Sequence, residues 1–349
     1  MPSSAEVVQI LQHLGRFSPE ARARLVDYEL ADVSRAQAFG ITEANVQPVV
    51  TARTQLFERV AARVLALCHH YGISDSAQIL VTLWRVWLPL AMQLQSVKPA
   101  GQPLIQGILG GQGTGKTTLA AVCRLILEYL GLTTLCVSID DLYKTYAERQ
   151  QLQRQDPRLI WRGPPGTHDL ELGMALLKQC RQPQRGTIIV PRFDKSAFAG
   201  AGDRTQPEVV DSADIVLFEG WFVGVRPVET AVFEQAPPPI TTPADRQFAR
   251  NSNERLKEYL PLWEQLDRLM VLYPIDYRLS KQWRREAEQK MKASGKPGMS
   301  DTEVEQFVEY FWRSLHPELL ITPLVKRPDL VDLVIEVQGD RSIGQVYRP

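Results

Sequence analysis

Residues 104–118 read Leu-Ile-Gln-Gly-Ile-Leu-Gly-Gly-Gln-Gly-Thr-Gly-Lys-Thr-Thr, and their reading decides the fold. Gly110, Gly115, Lys116 and Thr117 fill every fixed position of the phosphate-binding pattern G-x-x-x-x-G-K-[ST]. Glycines let successive backbone N–H groups turn inward on phosphate oxygens with no Cβ in the way. The expected cradle therefore runs Gly110, Gly111, Gln112, Gly113, Thr114, Gly115, Lys116, Thr117 and Thr118. Lys116 brings a mobile positive charge toward the β- and γ-phosphates, and the Thr117 hydroxyl suits Mg²⁺. A helix starting here points its partial positive end at the same anion.

The flanks supply the context that the pattern needs. Leu104, Ile105, Ile108 and Leu109 form an apolar run of buried-strand length. Leu119, Ala120, Val122, Leu125, Ile126 and Leu130 then recur at helical spacing up to Gly131. Strand, glycine loop and helix together predict an α/β P-loop NTPase fold. Its mostly parallel sheet is flanked by helices, and the chain binds a nucleoside triphosphate.

Composition narrows the class. The 349 residues are 44% hydrophobic and 23% charged, as in ordinary globular proteins. Forty basic residues balance forty acidic ones, so no long-range field favours nucleic acid or an acidic membrane. Cys68, Cys123, Cys136 and Cys180 lack C-x-x-C or zinc spacing and read as buried thiols in a reducing, cytoplasmic compartment. The start, Met-Pro-Ser-Ser-Ala-Glu-Val-Val, is not that of a secretion signal. Residues 77–94 approach a membrane span in apolarity. Gln78, Thr82, Arg85, Pro89 and Gln93 interrupt them, which favours a buried core helix.

Residues 1–98 read as a helical N-terminal extension and 99–349 as the nucleotide-binding domain. In the extension, Val7, Val8, Ile10, Leu11 and Leu14 mark one helix, and Phe57, Val60, Ala61, Val64 and Leu65 one face of a longer one. Trp84 and Trp87 suggest core packing; adjacent His69 and His70 diverge and make a metal site improbable. The extension carries no recognisable chemistry, which leaves a scaffolding role or an unknown protein partner.

Beyond the loop helix, the strand Leu135-Cys136-Val137-Ser138-Ile139 ends in Asp140-Asp141-Leu142-Tyr143. Acids at the tip of a parallel strand project into the ligand cleft. Asp140 or Asp141 is placed to take the proton of an attacking hydroxyl, and the other suits a helix N-cap. In Arg162–Gly173, Thr167 or Asp169 suits a cap, or His168 and Asp169 face a hydroxylated substrate. A strand at Thr187–Val190 leads into a glycine-punctuated loop holding Arg192, Lys195 and Arg204 with Asp194 and Asp203, either an anion-binding wall or a solvated loop. Ile215-Val216-Leu217-Phe218 is an apolar strand whose terminal Glu219 suits the Walker B role on Mg²⁺.

Residues 236–243 read as a stiff exposed loop and Leu269–Pro274 as a strand. Residues 277–292 form a charged helix with Arg278, Lys281, Arg284, Arg285 and Lys290. It is either a solvated surface helix or a lid lowering arginines onto the transferred phosphoryl group. Residues 294–300 punctuate its end. A helix over 301–316 and strands over 330–337 and 342–347 follow.

Guanine readers carry N-K-x-D, which is absent; Asp194-Lys195 has the reverse order. No transporter-ATPase signature is present, and neutral charge argues against a nucleic-acid motor. A small-molecule kinase remains. The runs Gly-Thr-Gly-Lys-Thr-Thr-Leu, Ser138–Tyr143, Gly166–Asp169, Pro191–Ser196 with Gly202–Arg204, Leu217–Trp221, Trp283-Arg284 and Gly298–Asp301 resemble the P-loop D-glycerate 3-kinases. That family is related to uridine kinase, phosphoribulokinase and pantothenate kinase. The loop reads Gly-Gly-Gln-Gly-Thr where many relatives have Ala-Pro-Gln-Gly-Cys, a change that keeps the phosphate contacts. The first eighty residues lie outside the resemblance.

The resemblance implies ATP and Mg²⁺ as cofactors, D-glycerate as substrate and 3-phosphoglycerate as product, with no nucleic-acid or membrane partner. It makes Asp140 the base, with Lys116 and Arg284 (aided by Lys281 and Arg285) on the phosphates. Thr117, Glu219 and Asp140 fall to the metal. Asp141, Tyr143, His168, Asp169, Arg192, Lys195 and Arg204 fall to the glycerate side. The alternatives are a kinase for another hydroxylated metabolite, such as uridine, pantothenate or a pentulose phosphate, and a non-catalytic ATP-binding regulator.

Overall fold

The computed structural model describes residues 4–182, 186–293, 295 and 298–349. Met1 to Ser3 of the quoted start, and Ser294, Lys296 and Pro297 of the helix-ending run, lie outside them.

Six helices come first: α1 (Ser4–Gln12), α2 (Pro19–Ala31), α3 (Val33–Ala38), α4 (Val46–His70), α5 (Ser76–Thr82) and α6 (Leu88–Val97). A π-helical turn, Leu83–Trp87, joins α5 to α6. This joined stretch is long and apolar enough to cross a bilayer, yet 67% of its most apolar window is buried inside the protein, as a core helix requires. Trp84 anchors it, edge-on to Phe57 and donating its indole N–H to Glu29 at 2.8 Å. Glu29 is buried and also forms a 2.8 Å ion pair with Arg53, which keeps the charge paired.

β1 (Leu104–Gly110) then leads through the glycine loop into α7 (Lys116–Tyr129). Gly115 sits at φ +88°, the left-handed conformation needed to swing the chain into the helix. Gly131 at φ +79° closes it, with Leu132 N–H bonded back to the Leu127 carbonyl. β2 (Thr134–Ser138), a 3₁₀ turn at Ile139–Leu142, α8 (Tyr146–Gln155) and α9 (Leu170–Cys180) follow. β3 (Ile188–Asp194) and β4 (Asp203–Val210) come next, then β5 (Ile215–Gly220) and α10 (Pro243–Trp263). The chain ends with β6 (Arg268–Pro274), α11 (Leu279–Ala293), α12 (Asp301–Ser314), α13 (Pro317–Leu324), β7 (Leu333–Val337) and β8 (Ile343–Tyr347).

The main sheet has the order β2-β5-β1-β6-β7-β8, parallel except for β8. β1 and β5 are buried along their whole length because helices cover both faces. On one face α4, α6 and α7 share a single hydrophobic cluster, in which Val60, Val64 and Leu94 meet Val122, Ile126 and Ile108. On the other, α9, α10 and α13 pack Leu176, Leu256 and Leu320 against Phe218 and Val271.

The loop expected at 191–204 is a correction. Residues 191–194 continue β3, which pairs antiparallel with β4 in a separate two-stranded hairpin. β4 is largely solvent-exposed, so its sequence Asp-Arg-Thr-Gln-Pro-Glu lacks the alternation that marks a half-buried strand.

Candidate active site

The loop is shaped by close approach. A Cβ on Gly110 would stand 2.7 Å from Thr114 Oγ1, and one on Gly113, at φ +82°, 2.5 Å from Trp283 Cβ. Trp283 is buried, so α11 is seated on the crown of the loop. Lys116 donates to the Gly111 carbonyl at 3.1 Å. Burial lowers its pKa, and the Glu219 and Asp140 carboxylates oppose that shift. Both strand-tip acids thus act on the same ammonium group. Thr117 Oγ1 donates to Glu219 Oε1 at 3.1 Å, joining the first helical turn to the tip of β5.

At the tip of β2 the two aspartates separate. Asp140 Oδ1 accepts from the Tyr143 hydroxyl at 2.8 Å and Oδ2 from Lys195 at 2.5 Å. Burial would raise its pKa; the Lys195 charge and these hydrogen bonds outweigh it, so Asp140 is held below the usual carboxylate range. Asp141 turns to structural work. Its Oδ2 accepts from Ser138 N–H at 3.0 Å, completing the cap of the 3₁₀ turn, and from Arg192 at 2.9 Å.

The remaining residues expected on the substrate side are mostly occupied with one another. Arg192 also grips Glu208 across the hairpin at 2.6 Å, and its bonds to Asp141 and the Cys136 carbonyl tie that hairpin to the sheet edge. Arg204 pairs with Asp169 at 2.6 Å and donates to the Tyr143 carbonyl. Asp169 caps α9 through Leu172 N–H. His168 is buried, stacked on Tyr143 at 4.6 Å, with Nδ1 2.8 Å from the Tyr259 hydroxyl. Of the seven, Tyr143 and Lys195 touch Asp140 directly.

On α11, Arg284 is bound to Glu288 at 2.5 Å and lies over Phe307, toward α12. Lys281 is held by Glu305 and Glu309, both at 2.8 Å. Lys281 therefore faces α12 carboxylates, Arg284 faces a carboxylate of its own helix and a ring of α12, and the helix meets the loop through Trp283. Beside the loop, a cavity of about 330 Å³ is lined by Trp221, Tyr277, Trp283, Phe311 and Trp312. Of its charged lining residues Asp276, Arg278 and Glu318, the first two pair with each other, and aromatic and aliphatic side chains make up much of the rest.

Burial drives the pKa of His168 down to about 3 against the pull of Asp140. Below pH about 6.5 the unfolded chain takes up a proton that the folded chain refuses. The stabilisation is complete above that pH and is lost as the pH falls toward 3. We expect His168 to contribute a decline of up to about 1.4 kcal/mol per pH unit between pH 6.5 and 4.5. Urea unfolding at several pH values should show it in the wild type and a shallower slope in His168→Gln; equal slopes would count against it.

A glycine loop on β1, acids at the tips of the neighbouring parallel strands β2 and β5, and a buried loop ammonium influenced by both define a P-loop kinase. No family model matches the chain. It is 33% identical to the chloroplastic D-glycerate 3-kinase of Arabidopsis thaliana over 69% of its length, a match spanning 54% of that protein. It is 32% identical to the uncharacterized kinase mug58 of Schizosaccharomyces pombe over 61% of its length and 80% of the relative's. The solved structure of a D-glycerate 3-kinase from Cryptococcus neoformans superposes with a TM-score of 0.66 at 28% identity, covering 75% of this chain and 96% of that one. The chain belongs to the family of P-loop kinases that includes D-glycerate 3-kinase.

Proposed function

We propose that the chain transfers the γ-phosphoryl group of ATP to a hydroxyl of D-glycerate, giving 3-phosphoglycerate and ADP. The observation that carries this reading is Asp140, held ionised by Lys195 and Tyr143 and facing the Lys116 that serves the phosphates. The acceptor oxygen attacks the γ-phosphorus in line, the bond to the ADP oxygen breaks, and the hydroxyl proton passes to Asp140. A carboxylate with a lowered pKa is a weak base. The loose transition state leaves the proton on the hydroxyl until late, so orientation and final capture suffice.

Lys116 and the loop N–H groups neutralise charge building on the leaving and transferred oxygens. The Thr117 hydroxyl and Glu219 carboxylate are adjacent hard oxygen donors, a set that fits Mg²⁺ completed by phosphate oxygens and water. When bound there, Mg²⁺ would supply further charge neutralisation on the triphosphate. Asp140 already carries the Lys195 ammonium, whose charge disfavours a second cation there, so it is assigned to the acceptor and not to the metal. Arg284 would join the phosphates only after leaving Glu288.

The test is ADP release measured with D-glycerate, uridine, pantothenate and ribulose 5-phosphate as acceptors. Turnover confined to glycerate is expected. ATP binding without turnover of any acceptor would favour the regulator, and turnover of another acceptor would reassign the substrate.

A further inference from the structure

Two arginines with no role in the site so far stand beside Tyr143. Arg149, on α8, donates Nη2 to the carbonyls of Ala201 at 2.9 Å and Gly202 at 2.5 Å. Arg162, in the loop before α9, donates Nη1 to Gly200 O at 2.7 Å and to the same Ala201 oxygen at 2.9 Å. Sharing that acceptor sets the two guanidinium groups side by side. Both lie against the Phe193 ring, at 5.1 and 5.5 Å from its centroid, and Arg162 also lies 5.9 Å from that of Tyr143.

This pairing is unfavourable unless something offsets it. Neighbouring Arg158, Arg192 and Arg204 each hold a carboxylate, whereas the hydrogen bonds of Arg149 and Arg162 among the described residues go only to carbonyls. Burial and the Arg162 charge pull the pKa of Arg149 down, and the Asp203 carboxylate only partly opposes them. Arg149 Nη1 is buried without a hydrogen-bond partner, the costly condition for a charged donor. An anion lying between the two groups would relieve repulsion and satisfy that nitrogen together. Tyr143 links the pair to the reacting centre, because its ring meets Arg162 and its hydroxyl bonds Asp140.

We propose that Arg149 and Arg162 clamp the carboxylate of the acceptor, so that the kinase selects a small hydroxy acid over a neutral polyol while Asp140 receives the hydroxyl. The inference rests on the glycerate reading but names different residues from the paired cations Arg192 and Arg204. It fixes one end of the acceptor at the turn 200–202 and the other at the tip of β2.

Arg149→Gln and Arg162→Gln should each raise KM for D-glycerate by about 10–100-fold, the worth of a charge-assisted hydrogen bond, with KM for ATP within about twofold. Preference for D-glycerate over glycerol should fall by the same factor. The Lys variants, which keep the charge and one bond to the turn, should recover part of the loss and also guard against misfolding of the Gln variants. A glycerate KM within about threefold of wild type in both Gln variants would overturn the clamp, as would parallel losses on glycerate and glycerol. If pantothenate is the acceptor used, the glycerate reading fails and the same comparison tests the clamp on that acid. A wild type that phosphorylates only uridine overturns it. Should no acceptor turn over, calorimetric titration with D-glycerate decides: the clamp requires wild-type binding that weakens at least about tenfold in the Gln variants, and no wild-type binding sinks it.

Discussion

Asparagine at position 140 is expected to lower kcat by about 10²–10⁴-fold while leaving ATP affinity within a few-fold of wild type. The amide has nearly the volume of the carboxylate but cannot collect the acceptor proton. It also offers one oxygen to two donors, Tyr143 and Lys195, that now have one each. Steady-state kinetics with glycerate and a nucleotide-binding titration separate the two effects. Asp141→Asn is the comparison: it breaks the Arg192 tie and the cap of the 3₁₀ turn, so its effect should fall on stability before turnover. Near wild-type turnover in Asp140→Asn would pass the base role to Asp141.

Lys116→Met should lower kcat by about 10²–10³-fold and weaken ATP binding as well. Methionine keeps most of the apolar stem and removes the one ammonium on which Asp140 and Glu219 both act. Without that charge the triphosphate loses its loop cation, and the Lys195 ammonium stays committed to Asp140. The two variants should therefore differ in kind: the first impairs the chemical step alone, the second both chemistry and nucleotide affinity. A Lys116→Met protein with wild-type kcat and ATP affinity would remove the loop from the mechanism.

The parts legible in the sequence are those governed by local rules. Gly110 to Thr118, the apolar runs of β1 and β5, the acid-tipped β2 and the capped α7 are each specified within a dozen residues. Which aspartate faces the pocket is only partly local. Ser138 and Asp141 form a capping box within four residues, and Arg192 reinforces that choice by reaching Asp141 from 51 positions away. The same long-range pairing removes Arg192 and Arg204 from the supply of free cations, while Arg149 and Arg162 carry no motif and meet only through the backbone of a distant turn. α10 did have a readable signal: Thr242 and Asp245 form a capping box, and Phe248, Ala249, Ser252, Leu256, Tyr259 and Trp263 recur at helical spacing. Its Tyr259 orients His168, the ring that stacks on Tyr143. β4 had none, because a strand wet on both faces follows no hydrophobic period.

The N-terminal helices bear on how this enzyme can be handled and how it evolves. Val60, Val64, Leu90 and Leu94 share one hydrophobic cluster with α7 and form its back wall. Cutting near residue 98 would strip that wall and leave α7 with a wet, greasy flank directly behind Lys116 and Thr117. Residues 99–349 are therefore expected to lose stability, and the phosphate cradle its rear support, once the first helices are removed.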